Sequence, residues 1–338
     1  YSHRSNVLHS MIVNSADALG AGSKDTLLPV VPLFHANSWG TAVSAPSMGT
    51  KLVMPGARLD GASVYDLLSS EKVTFAAGVP TVWLMLLRHM ETDNLKLPDL
   101  KVVICGGSAM PRSIIKAFDD MGIEVRHAWG MTEMSPRGTV GALQGAFGHL
   151  KGDAKLDRLQ MQGYAPFMVE MKLTDDAGKE LPWDGDTPGR LKVRGPAISA
   201  AYYRVDDNIL DEDGFFDTGD VATLDSYGYL RITDRSKDVI KSGGEWISSI
   251  DLENLAVGHP KVAEAAVIGV PHPKWGERPL LIVQVKQGES LTREEMLDFM
   301  DGKIAKWWMP DDVAFVDSIP HTATGKILKA ALREQFKG

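Results

Sequence analysis

Between residues 26 and 128, short apolar runs alternate with helix-length segments, and this alternation restricts the fold more than any other feature of the 338-residue chain. Strands are predicted at 26–31, 51–54, 73–76, 101–105 and 123–128, with helices at 39–47, 62–69, 80–90 and 111–121 between them. Pro80 and Pro111 stand at the openings of two of these helices, where a missing amide donor does no harm. Strands that return through a helix lie parallel, so the pattern predicts a mostly parallel sheet covered on both faces. Ligands of such sheets collect beyond the carboxyl ends of the strands. The turns at 32–40, 105–111 and 127–136 fall there.

The remainder reads differently. Residues 152–162 are charged and punctuated by glycine, which predicts a surface connection. Short segments at 167–173 and 189–193 then lead to a hairpin, with Pro182, Gly185 and Pro188 as breaks, so an antiparallel β subdomain is expected. In the hairpin, Asp217-Thr218-Gly219-Asp220 and Asp234-Arg235-Ser236-Lys237-Asp238 flank an apolar set of Val221, Leu224, Tyr229, Leu230 and Ile232, with the turn at 225–228. Helices at 247–257, 292–301 and 329–336, with strands at 262–270, 279–285 and 313–316, make a compact α+β unit of domain size. The expected organisation is an α/β domain over 1–150, a β subdomain carrying the hairpin over 151–236 and a small α+β domain over 237–338.

Composition narrows the function classes. Lys and Arg number 36 against 44 Asp and Glu, a formal charge of −8, which weighs against nucleic acid or an anionic membrane as the main partner. Cys105 is the single cysteine, so no intrachain disulfide framework exists, and a reducing cytoplasm fits. The longest apolar run, 75–87, is broken by Gly78 and Pro80 and is too short to span a bilayer.

Several residues suit chemistry, and each also has a plain structural reading. His35 and Trp39 sit on one strand-to-helix turn and suit either packing or a ligand. Gly106, Gly107 and Ser108 form a glycine turn into a helix, which permits close backbone approach. In Trp129-Gly130-Met131-Thr132-Glu133, an indole able to stack on a purine precedes a hydroxyl for phosphate oxygens and a carboxylate for magnesium. Asp220 and Arg235 face each other across the hairpin, as a surface ion pair or as a diol clamp. Lys326 follows Gly325 in a polar loop, where a lysine is ordinarily a solvated charge. Gly243 and Gly244, with Trp246 beside them, leave room for a narrow ligand arm or pack within a domain.

Taken together, 217–244, 127–136, 105–111, 32–40 and Thr324-Gly325-Lys326 resemble the acyl-adenylate-forming superfamily of acyl-CoA synthetases, peptide-synthetase adenylation domains and luciferases. The resemblance covers essentially the whole sequence, with Trp129 where the family usually has Tyr; stacking surface is kept and a hydroxyl is lost. It implies that Asp220 and Arg235 hold ribose, that Gly106, Gly107 and Ser108 wall the adenine, and that Trp129, Gly130, Met131, Thr132 and Lys241 complete the nucleotide site. Glu133 would bring magnesium. His35 and Trp39 would line the acyl channel, with His35 near the reacting carbonyl. Lys326 would serve the adenylating half-reaction, and Gly243, Gly244, Glu245, Trp246 and Glu277, with Lys241 bordering the same route, would line the coenzyme A thiol in the second. The small C-terminal domain would be mobile, turning about Lys237 or Asp238 between the two. The implied function is an ATP-dependent acid-CoA ligase that uses ATP, Mg2+ and coenzyme A and releases AMP and pyrophosphate. Its acid is expected to be of short or medium chain, as in ligases of 3-methylmercaptopropionate or medium-chain fatty acids. Amino- or aryl-acid adenylation, or nucleotide binding without catalysis, are the competing readings. A homodimer is one expected state. Residues 1–7 resemble the segment after the family's phosphate-binding loop, and no such loop occurs here, so the upstream part of the family fold is expected to be missing from this sequence.

Overall fold

The computed structural model describes residues 1–243 and 245–337, with the backbone alone at Glu245. The chain divides into two compact units, Tyr1–Thr218 with Ala222–Ile232, and Gly219–Val221 with Thr233–Gly338.

The first unit holds a six-stranded sheet in the order Lys51–Leu52, Thr26–Val30, Phe75–Gly78, Val102–Cys105, Glu124–Gly130, Arg137–Val140. Its first five strands are parallel, as the alternation requires, and the last is antiparallel. Leu27, Leu28, Val103 and Ile104 are fully buried, which is why these strands read as unbroken apolar runs. The helices are Gly61–Ser70, capped by the Asp60 carboxylate on the Ser63 amide, Pro80–Thr92, opened by proline, and Arg112–Asp120, which buries Ile114, Ile115 and Phe118. A further sheet runs Leu230–Arg235, Phe216–Leu224, Gly189–Arg194, Glu170–Thr174, and the last two strands pair antiparallel. The hairpin turns where expected: the Asp225 carboxylate accepts from the amides of Tyr227 and Tyr229.

Three sequence expectations are corrected, and two elements are added. Residues 152–160 are a helix, Gly152–Gln160, rather than a connection. Leu156 and Leu159 form its narrow buried stripe, while Asp153 and Asp157 pair with Arg112 and Lys155 with Asp119, so charges that suggested a loop are the outer face of a helix pair. The helix predicted at 39–47 starts at Thr41. Ahead of it Ala36, Asn37, Ser38 and Trp39 all take left-handed backbone angles, φ 47 to 57°. The strand expected at 167–173 begins later, Glu170–Thr174. The opening helix His3–Val13 and the strand Arg137–Val140 were not anticipated.

The second unit packs a sheet of Glu245–Ile247, Ile240–Ser242, Gly276–Val285 and Val262–His272, with Asp312–Phe315 parallel to Gly276–Val285. Three helices, Ser249–Val257, Arg293–Met300 and Lys329–Gln335, close it. Arg293–Met300 begins with a reciprocal cap between Thr292 and Glu295.

Candidate active site

In the first unit, three turns at the carboxyl ends of the sheet carry the expected residues. The left-handed turn after Val31 is held by buried hydroxyls: Ser38 Oγ donates to Val31 O at 2.6 Å and Thr41 Oγ1 to Ser38 O at 2.7 Å. A left-handed conformation costs a residue with a Cβ about 1–2 kcal/mol, so these bonds offset a real strain. The turn drives the Trp39 indole inward, leaving it 9% exposed. A methyl group on Gly106 would stand 3.3 Å from that ring and 3.0 Å from Ala128 O, so glycine at 106 lets the indole meet the backbone of the next strand end. The acyl-channel and adenine-wall candidates are therefore in contact. Gly107, with φ 85°, and Ser108 are exposed beside them, and His35 is half-buried at the start of the left-handed turn.

Trp129 and Gly130 end the strand Glu124–Gly130, and Met131 leads into a 3-10 turn at Thr132–Met134. The Trp129 ring lies on Gly138, whose Cβ would meet it at 2.7 Å. Gly130 has no room for any side chain, since its Cβ would fall 2.1 Å from Pro136 O. Thr132 is exposed, and Met131 packs on the apolar cluster beneath the β subdomain. Glu133 is half-buried, and its carboxylate accepts from the Tyr202 hydroxyl at 2.7 Å. That bond, ahead of burial, holds the Tyr202 phenol above its ordinary value. Tyr202 is not among the candidate residues of the sequence. Its phenol sits 69 residues from Glu133 in the chain, and only two adjacent tyrosines in a polar stretch hinted at it.

The second unit gathers the ribose pair and the lysine. Arg235 Nε donates to Asp220 at 2.7 Å; the Asp220 side chain is 2% exposed and that of Arg235 41%, so the carboxylate is buried while the guanidinium reaches the surface. Lys326 is depressed below the ordinary lysine range, first by burial and then by the Arg235 charge, with Asp220 opposing both. The loop that presents it is closed on itself: Thr322 N donates to Lys326 O at 2.8 Å, Lys326 N to Thr322 Oγ1 at 3.1 Å and Gly325 N to Thr322 O at 2.9 Å. Asp238 is bound by Arg333 at 2.6 Å, whereas Lys237 is exposed.

Among the thiol-route candidates, the Lys241 amide donates to Glu277 at 3.1 Å, and that carboxylate also lies against Gly269, where a Cβ would come within 3.0 Å. Gly243, at φ 63°, donates its amide to Trp275 O at 2.8 Å and lies under the Trp275 ring. Trp246, half-buried, is the strand partner of Lys241. Gly244 and the side chain of Glu245 lie outside the described residues.

Comparison with known proteins fits these motifs. The AMP-binding enzyme profile matches residues 1–203, and the profile of the AMP-binding enzyme C-terminal domain matches residues 251–326. The chain belongs to the AMP-binding enzyme family. Among curated relatives, the 3-methylmercaptopropionyl-CoA ligase of Ruegeria lacuscaerulensis is 50% identical over all of this chain and 63% of its own length. The medium-chain-fatty-acid-CoA ligase of Ectopseudomonas oleovorans is 48% identical over 99% of this chain and 62% of its own. The chain thus spans less than two thirds of the length of these relatives. The crystal structure of ATP-bound MatB from Rhodopseudomonas palustris superposes with a TM-score of 0.85 at 28% identity, over 99% of this chain and 64% of that one. Among the described residues, no helix is long and apolar enough to cross a membrane.

Proposed function

We propose that the chain is the larger part of an ATP-dependent acid-CoA ligase. It would condense a carboxylic acid with ATP to an acyl-adenylate and pyrophosphate, then pass the acyl group to coenzyme A with release of AMP. The observation that carries this reading is the lysine: Lys326 stands partly desolvated beside the ion pair of buried Asp220 and half-exposed Arg235. An ammonium in that setting offsets negative charge growing on the α-phosphate while the pair accepts from and donates to ribose hydroxyls.

In this proposal Gly106, Gly107 and Ser108 wall the adenine, and Trp129 presents its indole to the purine. Thr132 donates to phosphate oxygens. Glu133 fits magnesium by its donor chemistry: Mg2+ takes one or two carboxylates plus substrate phosphates rather than an all-protein cage. The ion would neutralise phosphate charge there. The small unit would turn at Lys237 or Asp238 between half-reactions, a hinge movement of the usual kind, to exchange Lys326 for Lys241, Gly243, Gly244, Glu245, Trp246 and Glu277 on the thiol side. The acid lies against His35 and Trp39. The inward indole of Trp39 favours short or medium chains, and the names of the relatives point to 3-methylmercaptopropionate first and medium-chain fatty acids second. A cytoplasmic location suits these substrates and the buried, unpaired thiol of Cys105.

Pyrophosphate release from ATP, Mg2+ and a series of carboxylic acids tests the reading, with kcat/KM compared between 3-methylmercaptopropionate and C4–C10 fatty acids. Release that depends on the acid is expected. ATP binding with no acid-dependent pyrophosphate would overturn it.

A further inference from the structure

The carboxylate of Glu133 is not left to choose its own rotamer. The segment after the strand Gly189–Arg194 folds back over the turn that carries it and fastens at successive points. Ser135 Oγ donates to Ala197 O at 2.6 Å, the Ser199 amide donates to Glu133 O at 2.7 Å, and the Tyr202 hydroxyl donates to Glu133 Oε1 at 2.7 Å. The first two bonds fix the backbone of the turn. The third reaches past it to the side chain. A fold that needed only to anchor the segment had no use for the last bond, since Tyr202 is 46% exposed and Tyr203 beside it 86%. A half-exposed phenol buries little apolar area, so what it adds is the aim of its hydroxyl.

We infer that Tyr202 is a positioning residue: its hydroxyl holds one carboxylate oxygen of Glu133 so that the other is presented to the magnesium ion that accompanies the nucleotide. This rests on the reading that Glu133 meets that ion. A hydrogen-bonded carboxylate has lost rotamer freedom before the metal arrives, and second partners of this kind set the orientation and affinity of a metal ligand. Glutamate is long and flexible, and its unrestrained side chain would have to be ordered at each binding event. The Tyr202 hydroxyl takes up one lone pair of Oε1, so the other oxygen of Glu133 would be the less encumbered one for a metal ion.

The test compares Tyr202→Phe, Glu133→Gln and the double variant in the purified protein, reading Mn2+ binding in the presence of ATP by electron paramagnetic resonance, the Mg2+ concentration for half-maximal pyrophosphate release, KM for the acid, and Tm. Tyr202→Phe is expected to weaken Mn2+ binding and raise the Mg2+ requirement by about tenfold, with KM for the acid and Tm little changed. Glu133→Gln is expected to do at least as much, and the double variant no more than Glu133→Gln alone. If Tyr202→Phe is as damaging in the Glu133→Gln background as in the parent, or if Tm and acid KM move with the metal constant, the hydroxyl acts on the fold and the positioning role is overturned. Glu133→Gln with unaltered Mn2+ binding would instead remove the metal reading itself, and with it this inference.

Discussion

Lys326 and His9 show how burial sets what single residues do with protons. Lys326 is held below the ordinary lysine range by burial and by Arg235, while Asp220 pulls the other way. Its ammonium is therefore lost at lower pH than in a solvated lysine, and if that ammonium offsets phosphate charge as proposed, the alkaline limb of acyl-adenylate formation should follow it. Arg235→Gln removes the repulsion and should move that limb in kcat to higher pH; Asp220→Asn removes the attraction and should move it lower. Limbs that coincide in all three proteins would detach Lys326 from the step. His9 behaves oppositely in consequence. It is buried, its Nε2 accepts from the Arg137 amide at 3.1 Å, and burial, with Arg137 next, pushes it from near 6.5 down to about 3. Unfolded His9 binds its proton below about 6.5 and folded His9 only below about 3. The folded state is thus at full advantage above 6.5 and loses ground as pH falls toward 3, by about 1.4 kcal/mol per unit. His9→Gln, which keeps an acceptor for Arg137, should flatten the slope of urea-unfolding free energy between pH 6.5 and 5. An unchanged slope would show that other groups govern acid lability.

The closing helix Lys329–Gln335 shows how one element organises its unit. Lys329 and Arg333 are four residues apart and so share a face. Lys329 donates to Ser249 at 2.6 Å and pairs with Glu253 at 2.7 Å, while Arg333 takes Asp238 at 2.6 Å. Asp234 completes the group, accepting from the amides of Ser249 and Arg235 at 2.7 and 2.8 Å. Burial pushes Glu253 and Asp234 up, and Lys329 restrains both. Lys329→Met leaves buried carboxylates without their cation and should cost about 3–5 kcal/mol in denaturant unfolding; a loss under 1 kcal/mol would mean that the acids simply take up protons. Arg333→Ala, at the rim, should cost less. None of this network is periodic in sequence, and it could not be read there. The parallel sheet and the hairpin could be, because apolar runs, period-two alternation and a four-residue turn are local signals. The left-handed turn at 36–39 could not, since spacing reports a helical period and not its hand. The helix Gly152–Gln160 hid for a related reason: two leucines make its whole apolar stripe, and the partners of its charges lie on another helix. Candidate site residues were legible where one short string carries several of them, as from Trp129 to Glu133. Tyr202 was not, because its meaning depends on a contact formed across the fold.

At the scale of the whole molecule, the proposed function assigns two chemically different steps to separate groups of residues. Transfer to phosphorus needs a cation where charge accumulates, and transfer to sulfur needs a path narrow enough for a thiol arm and free of side chains. In the proposal Lys326 meets the first need and the turn at Gly243 the second. Gly243, at φ 63° and with its Cβ position 2.9 Å from the Trp275 ring, cannot accept a side chain without moving that indole. If both residues serve a single rate-limiting event, replacing either should slow both half-reactions alike. The proposed division of labour requires opposite biases. Lys326→Ala should lower acyl-adenylate formation by roughly a hundredfold and leave thioester formation from synthetic acyl-adenylate largely intact. Gly243→Ala should slow thioester formation while pyrophosphate release in the first turnover stays near the parent value. Single-turnover measurement of each half-reaction separates the cases, since the steady-state rate reports only the slower step. Equal losses in both half-reactions for both variants would mean that the lysine and the glycine turn act together, and the assignment of separate roles would fall.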